Sequence, residues 1–193
     1  MLSSSHPGYR PCKAIWSKNC FWYNILHTCI FLIGYAAKSH RTHVGSGANT
    51  LCLVKDPQFP DNARAGMAVH TSLLFGVEYQ LNEGFLNPSN LHNQNVPCAV
   101  CEVPRSTSMM VPAKRTCPQG WTLEYEGLLM AGYYEHQGQS EYICVSLEME
   151  AIPGGSANTN GGMLFVVEVK CGFALPCPPY VDGYELSCVV CSK

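Results

Sequence analysis

Two Cys-x-x-Cys pairs, Cys98/Cys101 in VPCAVCEVP and Cys188/Cys191 in SCVVCSK, are the residues with the most evident capacity for chemistry. Such a pair can carry thiol–disulfide exchange or supply two ligands to a tetrahedral zinc ion. Both uses need the two thiols to converge, and the redox use favours a helix N-terminus that lowers one thiol's pKa. Here each pair is set among β-formers. In an extended segment residues i and i+3 point to opposite faces, so the two sulfurs of each pair should reach different partners. The pairs also stand 90 residues apart with no third ligand set close by. That pattern favours structural disulfides over metal or redox chemistry.

The remaining polar residues give weaker signals. His40 and His43 in SHRTH have an i, i+3 spacing that metal ligands can use, but they sit in a loop beside Gly45, and His43 recurs as His136 beside a glycine. A structural hydrogen-bonding role in both places is the expectation. Asp56, Asp61 and Asn62 in KDPQFPDN lack the second acidic cluster of a calcium site and read as a solvated turn. GSG at Gly45–Gly47 is not the Gly-x-Ser-x-Gly of a nucleophile elbow. Glu78 and Glu168 lie in apolar strands, where they form either a buried carboxylate pair or, more simply, exposed edge positions. No catalytic constellation, metal site or cofactor is implied, and an enzyme is not expected.

Twelve cysteines among 193 residues, with only 13% charged residues, point to an oxidising, extracellular setting. The net charge of −2 and the absence of a basic run argue against nucleic acid. The apolar run FWYNILHTCIFLIGYAA, Phe21–Ala37, follows Arg10, Lys13 and Lys18 and leaves two readings open. One is a secretion signal cleaved after Ala37; the other is a buried strand or an atypical start. Asn24 and His27 interrupt it too early for a stable membrane span.

The elements that would hold these residues come in two copies. LLFGVEYQ lies over GMLFVVEVK with Phe75 on Phe165 and Glu78 on Glu168, and Cys98 and Cys101 lie over Cys188 and Cys191 at the same offset of 90. Upstream, Gly34 matches Gly127, His43 matches His136, Gly45 matches Gly138 and Cys52 matches Cys144 with one gap. The chain divides into an atypical N-terminal segment (1–33), a first repeat (34–101), a linker (102–116) with a short strand at MMV, and a second repeat (117–193). β-branched and aromatic runs alternate with turn chemistry, and no 3.6-residue apolar period is sustained, so any helix is short.

Spacing suggests partners for the sulfurs. Cys52 precedes Cys98 by 46 residues and Cys144 precedes Cys188 by 44, which makes these the natural first pairings. A closed loop of about 45 residues stabilises a fold by roughly 4 kcal/mol in the chain-entropy model. Cys171 and Cys177 in CGFALPC can close a local loop, which leaves Cys117 for Cys191.

VPCAVCEVP, then VPAKRTCPQGW and YEGLLM, resembles the junction between the halves of the C-terminal non-collagenous domain of type IV collagen. The blocks YICV, SANTNGG, LPCPPY and CVVC are still more similar to the spongin short-chain collagen family, over about residues 34 to 193. The resemblance implies a mainly β (α+β) fold, a tandem duplication of two disulfide-stapled subdomains, each C-type-lectin-like. It implies the pairs Cys52–Cys98, Cys144–Cys188, Cys117–Cys191 and Cys171–Cys177, with Cys101 joined to Cys29 or Cys20. It also implies a secreted extracellular-matrix protein acting through protein–protein contacts, with other matrix proteins or copies of itself as partners, a homotrimer included. A secreted module binding glycans or microbial surfaces is the alternative. No Gly-X-Y repeat is present, so the chain cannot itself form a collagen triple helix.

Overall fold

The computed structural model describes residues 10–11, 29–66, 69–81 and 90–193. Ten strands lie among them: β1 Arg10–Pro11, β2 Cys29–Lys38, β3 Leu51–Val54, β4 Phe75–Gln80, β5 Pro97–Glu102, β6 Ser108–Pro112, β7 Thr122–Ala131, β8 Ile143–Ser146, β9 Gly162–Val166 and β10 Ser187–Ser192. No helix occurs among the described residues, so the fold is mainly β and the α part of the expected α+β class finds no helix there. The strands connect in the order β1-β5-β2-β4-β9-β7-β10-β6, with β3 branching from β2 and β8 from β7. All pairings are antiparallel except β4 with β9.

Two ten-residue strands organise this sheet. Along one edge of β2 run first β5 (Gly34 opposite Cys98) and then β4 (Lys38 opposite Phe75), while β3 occupies the other edge (Ala36 opposite Cys52). β7 takes β10 and then β9 along one edge (Gly127 opposite Cys188, Ala131 opposite Phe165) and β8 along the other (Leu129 opposite Cys144). A strand with partners on both edges and cover on both faces has no polar side, which is why YEGLLMA reads as nearly continuous apolar sequence. Leu128 and Met130 of β7 join one core with Val77, Tyr79, Leu91 and Val145; Leu129, on the opposite face, joins a second with Tyr125, Cys144 and Cys188.

β2 also settles how the end of the apolar N-terminal run is used. Ala37 is buried and paired to Leu51 on one side and Gly76 on the other, so cleavage after Ala37 would remove the strand that β3, β4 and β5 share. Residues 29–37 of that run are therefore sheet; the stretch 21–28 lies outside the described residues. No described helix is long and apolar enough to cross a membrane. The segment read as a linker contributes β6, which pairs along its full length with β10 from Ser108 opposite Ser192 to Pro112 opposite Cys188.

Gly34 and Gly127 are fixed by close backbone approach. A Cβ on Gly127 would lie 2.2 Å from the Val145 carbonyl oxygen and 3.0 Å from Cys144 Sγ, and one on Gly34 would lie 1.8 Å from the Leu53 oxygen. A rigid carbonyl in a sheet ladder cannot move aside as a flexible side chain would. Gly127→Ala is therefore expected to destabilise the protein by at least about 3 kcal/mol, read as a lowered urea midpoint with the disulfides intact. Gly45→Ala, where nothing lies within 4 Å of the added carbon, should leave the midpoint nearly unchanged.

Candidate functional site

Eight of the twelve cysteines are joined in disulfides. Four bridges lie among the described residues, Cys52–Cys98, Cys117–Cys191, Cys144–Cys188 and Cys171–Cys177. Cys188 and Cys191 are both buried and bond to different partners, with the register between β10 and β7 shifting at Val190/Cys191. Their sulfurs are thus unavailable as a zinc pair or as a redox pair within one motif. Cys101 is buried, and its backbone lies between Ile30 of β2 and Arg10 of β1. Cys12 and Cys20 lie outside the described residues, as does the side chain of Cys29, whose backbone faces Glu102; the expected Cys101 partner therefore falls there.

The carboxylates depart from the simpler expectation. Glu78 is buried, not edge-exposed, because β9 runs alongside β4 and places Met163 opposite it. Its Oε1 accepts hydrogen bonds from the Thr159 backbone N–H (2.6 Å) and the Thr159 hydroxyl (2.8 Å), and Oε2 accepts one from the Asn160 N–H (3.1 Å). The SANTNGG loop wraps this carboxylate with Asn158 and Asn160 in the left-handed region (φ 50° and 57°), which Asn tolerates better than most residues. Glu168 is exposed and bridges only to Glu185, so the two do not form a pair.

A second polar cluster joins the 34–101 and 117–193 stretches. Lys38, buried at the end of β2, donates from Nζ to Ser140 Oγ (2.5 Å), which also accepts from the Gly132 N–H (2.9 Å). Glu141 Oε1 accepts from the Thr50 N–H (2.6 Å), and the Arg41 backbone donates its N–H to the Gly161 carbonyl and accepts from the Gly138 N–H. Burial lowers the Lys38 pKa, and nearby Glu141 partly opposes the shift. A lysine amine beside a serine hydroxyl can act as a base–nucleophile pair. Here, however, the hydroxyl is already held by the Gly132 amide and directed at the Glu141 carbonyl, which makes the cluster a seam lock.

The histidines flank this seam through packing. The His40 and His43 rings lie 4.9 Å apart and both meet the Phe75 ring edge-on; His136 meets Phe165 in the same way at 5.7 Å, while Tyr133 meets Phe165 tilted at 5.4 Å. His40 Nδ1 is 2.9 Å from Thr42 Oγ1, while for His43 and His136 the hydrogen bonds are those of the backbone amides, to His40 and Tyr133. Burial is the main cause that lowers the pKa of His40 and of His136, with Arg41 adding to both. Asp56, Asp61 and Asn62 are all exposed, in keeping with a solvated turn. Among the described residues no three His, Cys, Asp or Glu side chains are placed to share a metal ion.

What sequence reasoning missed is an apolar surface. Tyr35, Leu51 and Leu53 project from one face of β2 and β3, with Tyr35 directly opposite Leu53, and all three are exposed. Phe173, Leu175, Val181 and Tyr184 form a second exposed set in the segment between β9 and β10. Only the repeat alignment, read together with burial, distinguishes these residues from ordinary core positions. No protein-family model matches this chain, and no curated protein sequence does.

Two expectations follow from the polar clusters. Glu78→Gln replaces one acceptor oxygen by an amide that cannot receive an N–H, so stability should fall by about 2 kcal/mol, read from urea unfolding. For Lys38, the lowered folded pKa means that the unfolded chain binds the extra proton between that value and the ordinary lysine range. Stability should therefore rise with pH across that window. Lys38→Met should flatten the rise, measured as the pH dependence of the unfolding midpoint relative to wild type.

Proposed function

We propose that this protein is a structural component of the extracellular matrix, a collagen-type non-collagenous domain of the spongin short-chain kind, which works by docking to copies of itself. The sequence resemblance and the four disulfides in a mainly β fold support the setting. Its architecture we read as a tandem duplication of residues 34–101 and 117–193 about the linker 102–116. The C-type-lectin-like character of each half rests on the resemblance.

The hydrogen-bond ladder supports the duplication residue by residue. Val96 N–H to Val77 O recurs as Leu186 to Val167, Tyr79 to Gln94 as Val169 to Tyr184, Asn93 to Tyr79 as Gly183 to Val169, and Ala36 to Val96 as Leu129 to Leu186. The strand registers agree: Gly34 opposite Cys98 and Ala36 opposite Cys52 correspond to Gly127 opposite Cys188 and Leu129 opposite Cys144.

A mismatch in burial between the halves carries the docking proposal. Tyr35 and Leu53 are 43% and 40% exposed, whereas their counterparts Leu128 and Val145 are 7% and 4% exposed, in one core with Tyr79, Leu81, Leu91 and Val96 of the first half. Residues 77–81 and 91–96 of the first half therefore cover the outer face of the second. Its counterpart, 167–186, covers no such face: Val181 is 46% exposed where the corresponding Leu91 is 4%. Among the described residues each copy thus leaves one face uncovered and one covering segment unused, and the same contact repeated between copies would satisfy both. Such a contact is head-to-tail and closes into a ring if the rotation allows it, a trimer being one case.

Sedimentation velocity tests this reading. Wild type should self-associate, and Leu53→Glu and Val181→Glu should each be monomeric. An equimolar mixture of the two should form dimers and nothing larger, because each variant keeps one competent surface. Monomeric wild type, or a mixture that stays monomeric, would sink the proposal.

A further inference from the structure

Of the four bridges among the described residues, the one in the segment 167–186 has neither cysteine in a strand. Cys171 and Cys177 are six residues apart, and they close a loop whose tip carries Phe173, 79% exposed, and Leu175. The other three bridges span 44 to 74 residues, and each has at least one buried sulfur-bearing residue. In the short loop Cys171 is half-buried and Cys177 exposed, and no other described bridge has an exposed cysteine, so this bridge is the most open to a dissolved thiol. The base of the loop is held separately: Asp182 accepts from the Cys171 backbone N–H at 2.7 Å and from Lys170 Nζ at 3.0 Å. Opening the disulfide would release the tip and leave the base and the sheet in place.

The first half does without this bridge. Leu81 and Asn87 stand where the second half has Cys171 and Cys177. Within one chain the covering segment is tethered beside its target, and a tether supplies a high effective concentration without preorganisation. A contact between separate molecules lacks that tether and gains more from a loop already fixed in its docking shape, since less conformational entropy is then lost on binding.

We propose that the Cys171–Cys177 bridge is a redox control on self-association, closed for docking and opened by a dithiol reductant of the extracellular space. The inference rests on the head-to-tail reading and adds its regulation. In the first step a reductant thiolate attacks Cys177 Sγ, and Cys171 leaves as a thiolate and takes up a proton. The reductant's second thiol then displaces Cys177, which is protonated in turn. The protein bridge becomes two thiols as the reductant becomes a disulfide, so electrons and protons balance.

The test is a dithiothreitol titration of the native protein, trapped with iodoacetamide, mapped by mass spectrometry and followed in parallel by sedimentation velocity and far-ultraviolet circular dichroism. Cys171 and Cys177 should be alkylated before any other bridged cysteine, with the β spectrum unchanged and the dissociation constant raised roughly tenfold or more. A Cys171→Ser/Cys177→Ser double variant should associate as weakly and no longer respond to the same dithiothreitol concentrations. Alkylation of another bridge first overturns the inference, as does opening of this one, or the double substitution, with association unchanged. If the oxidised wild type is itself monomeric, the head-to-tail reading fails and takes this inference with it.

Discussion

Strands that flank a common neighbour in a flat sheet lie about 9.6 Å apart. Yet Cys52 and Cys98, on either side of β2, have Cα atoms 5.6 Å apart, and Cys144 and Cys188, on either side of β7, 5.8 Å. The sheet must therefore fold sharply around its middle strand, and it does so where that strand carries glycine. The space that Gly34 and Gly127 leave empty is taken by the Leu53 and Val145 carbonyls, and at Gly127 the Cys144 sulfur also closes in. Much else depends on this fold-over. With β8 folded over β7, residues on both faces of β7 enter cores, Leu128 and Met130 on one and Leu129 on the other.

The parallel β4–β9 contact then creates a problem of its own, because it buries a charged side chain. Glu78 is accommodated by three donors from the 158–160 loop, enough to replace the water its two oxygens lose. Lys38, at the end of β2, meets the same requirement with a serine hydroxyl across the seam. Both clusters join residues more than 80 positions apart, so they specify how the two stretches sit against each other as well as holding them together. The His–Phe contacts on either side fill the space around that seam with rings.

Tyr79, Leu81 and Leu91 share a core with Leu128 and Val145, whereas Tyr35 and Leu53 and, in the segment between β9 and β10, Phe173 and Val181 remain exposed. Apolar residues of this kind stabilise interface cores, and under the docking proposal their position on a disulfide-held sheet and a disulfide-closed loop would leave little order to acquire on binding.

Strand placement, the loops and the commitment of cysteines to disulfides were legible in the sequence, since β-branched runs, turn residues and an oxidising composition each have a local physical cause. The near-equal separations Cys52 to Cys98 and Cys144 to Cys188 were visible there too, and the bridges span those same separations. Burial was not legible where it depends on a neighbouring strand. Glu78 and Glu168 occupy matching apolar contexts, and one is enclosed while the other faces water because only β4 has β9 beside it at that position. Tyr35 and Leu128 are likewise matching apolar residues on long strands. The sequence alone determined the strands, the repeated cysteine spacing and the two glycines, because those follow from side-chain stereochemistry and short-range spacing. Which apolar face is covered and which is open was decided only by tertiary structure, because burial depends on which distant segment the folded chain brings against each strand.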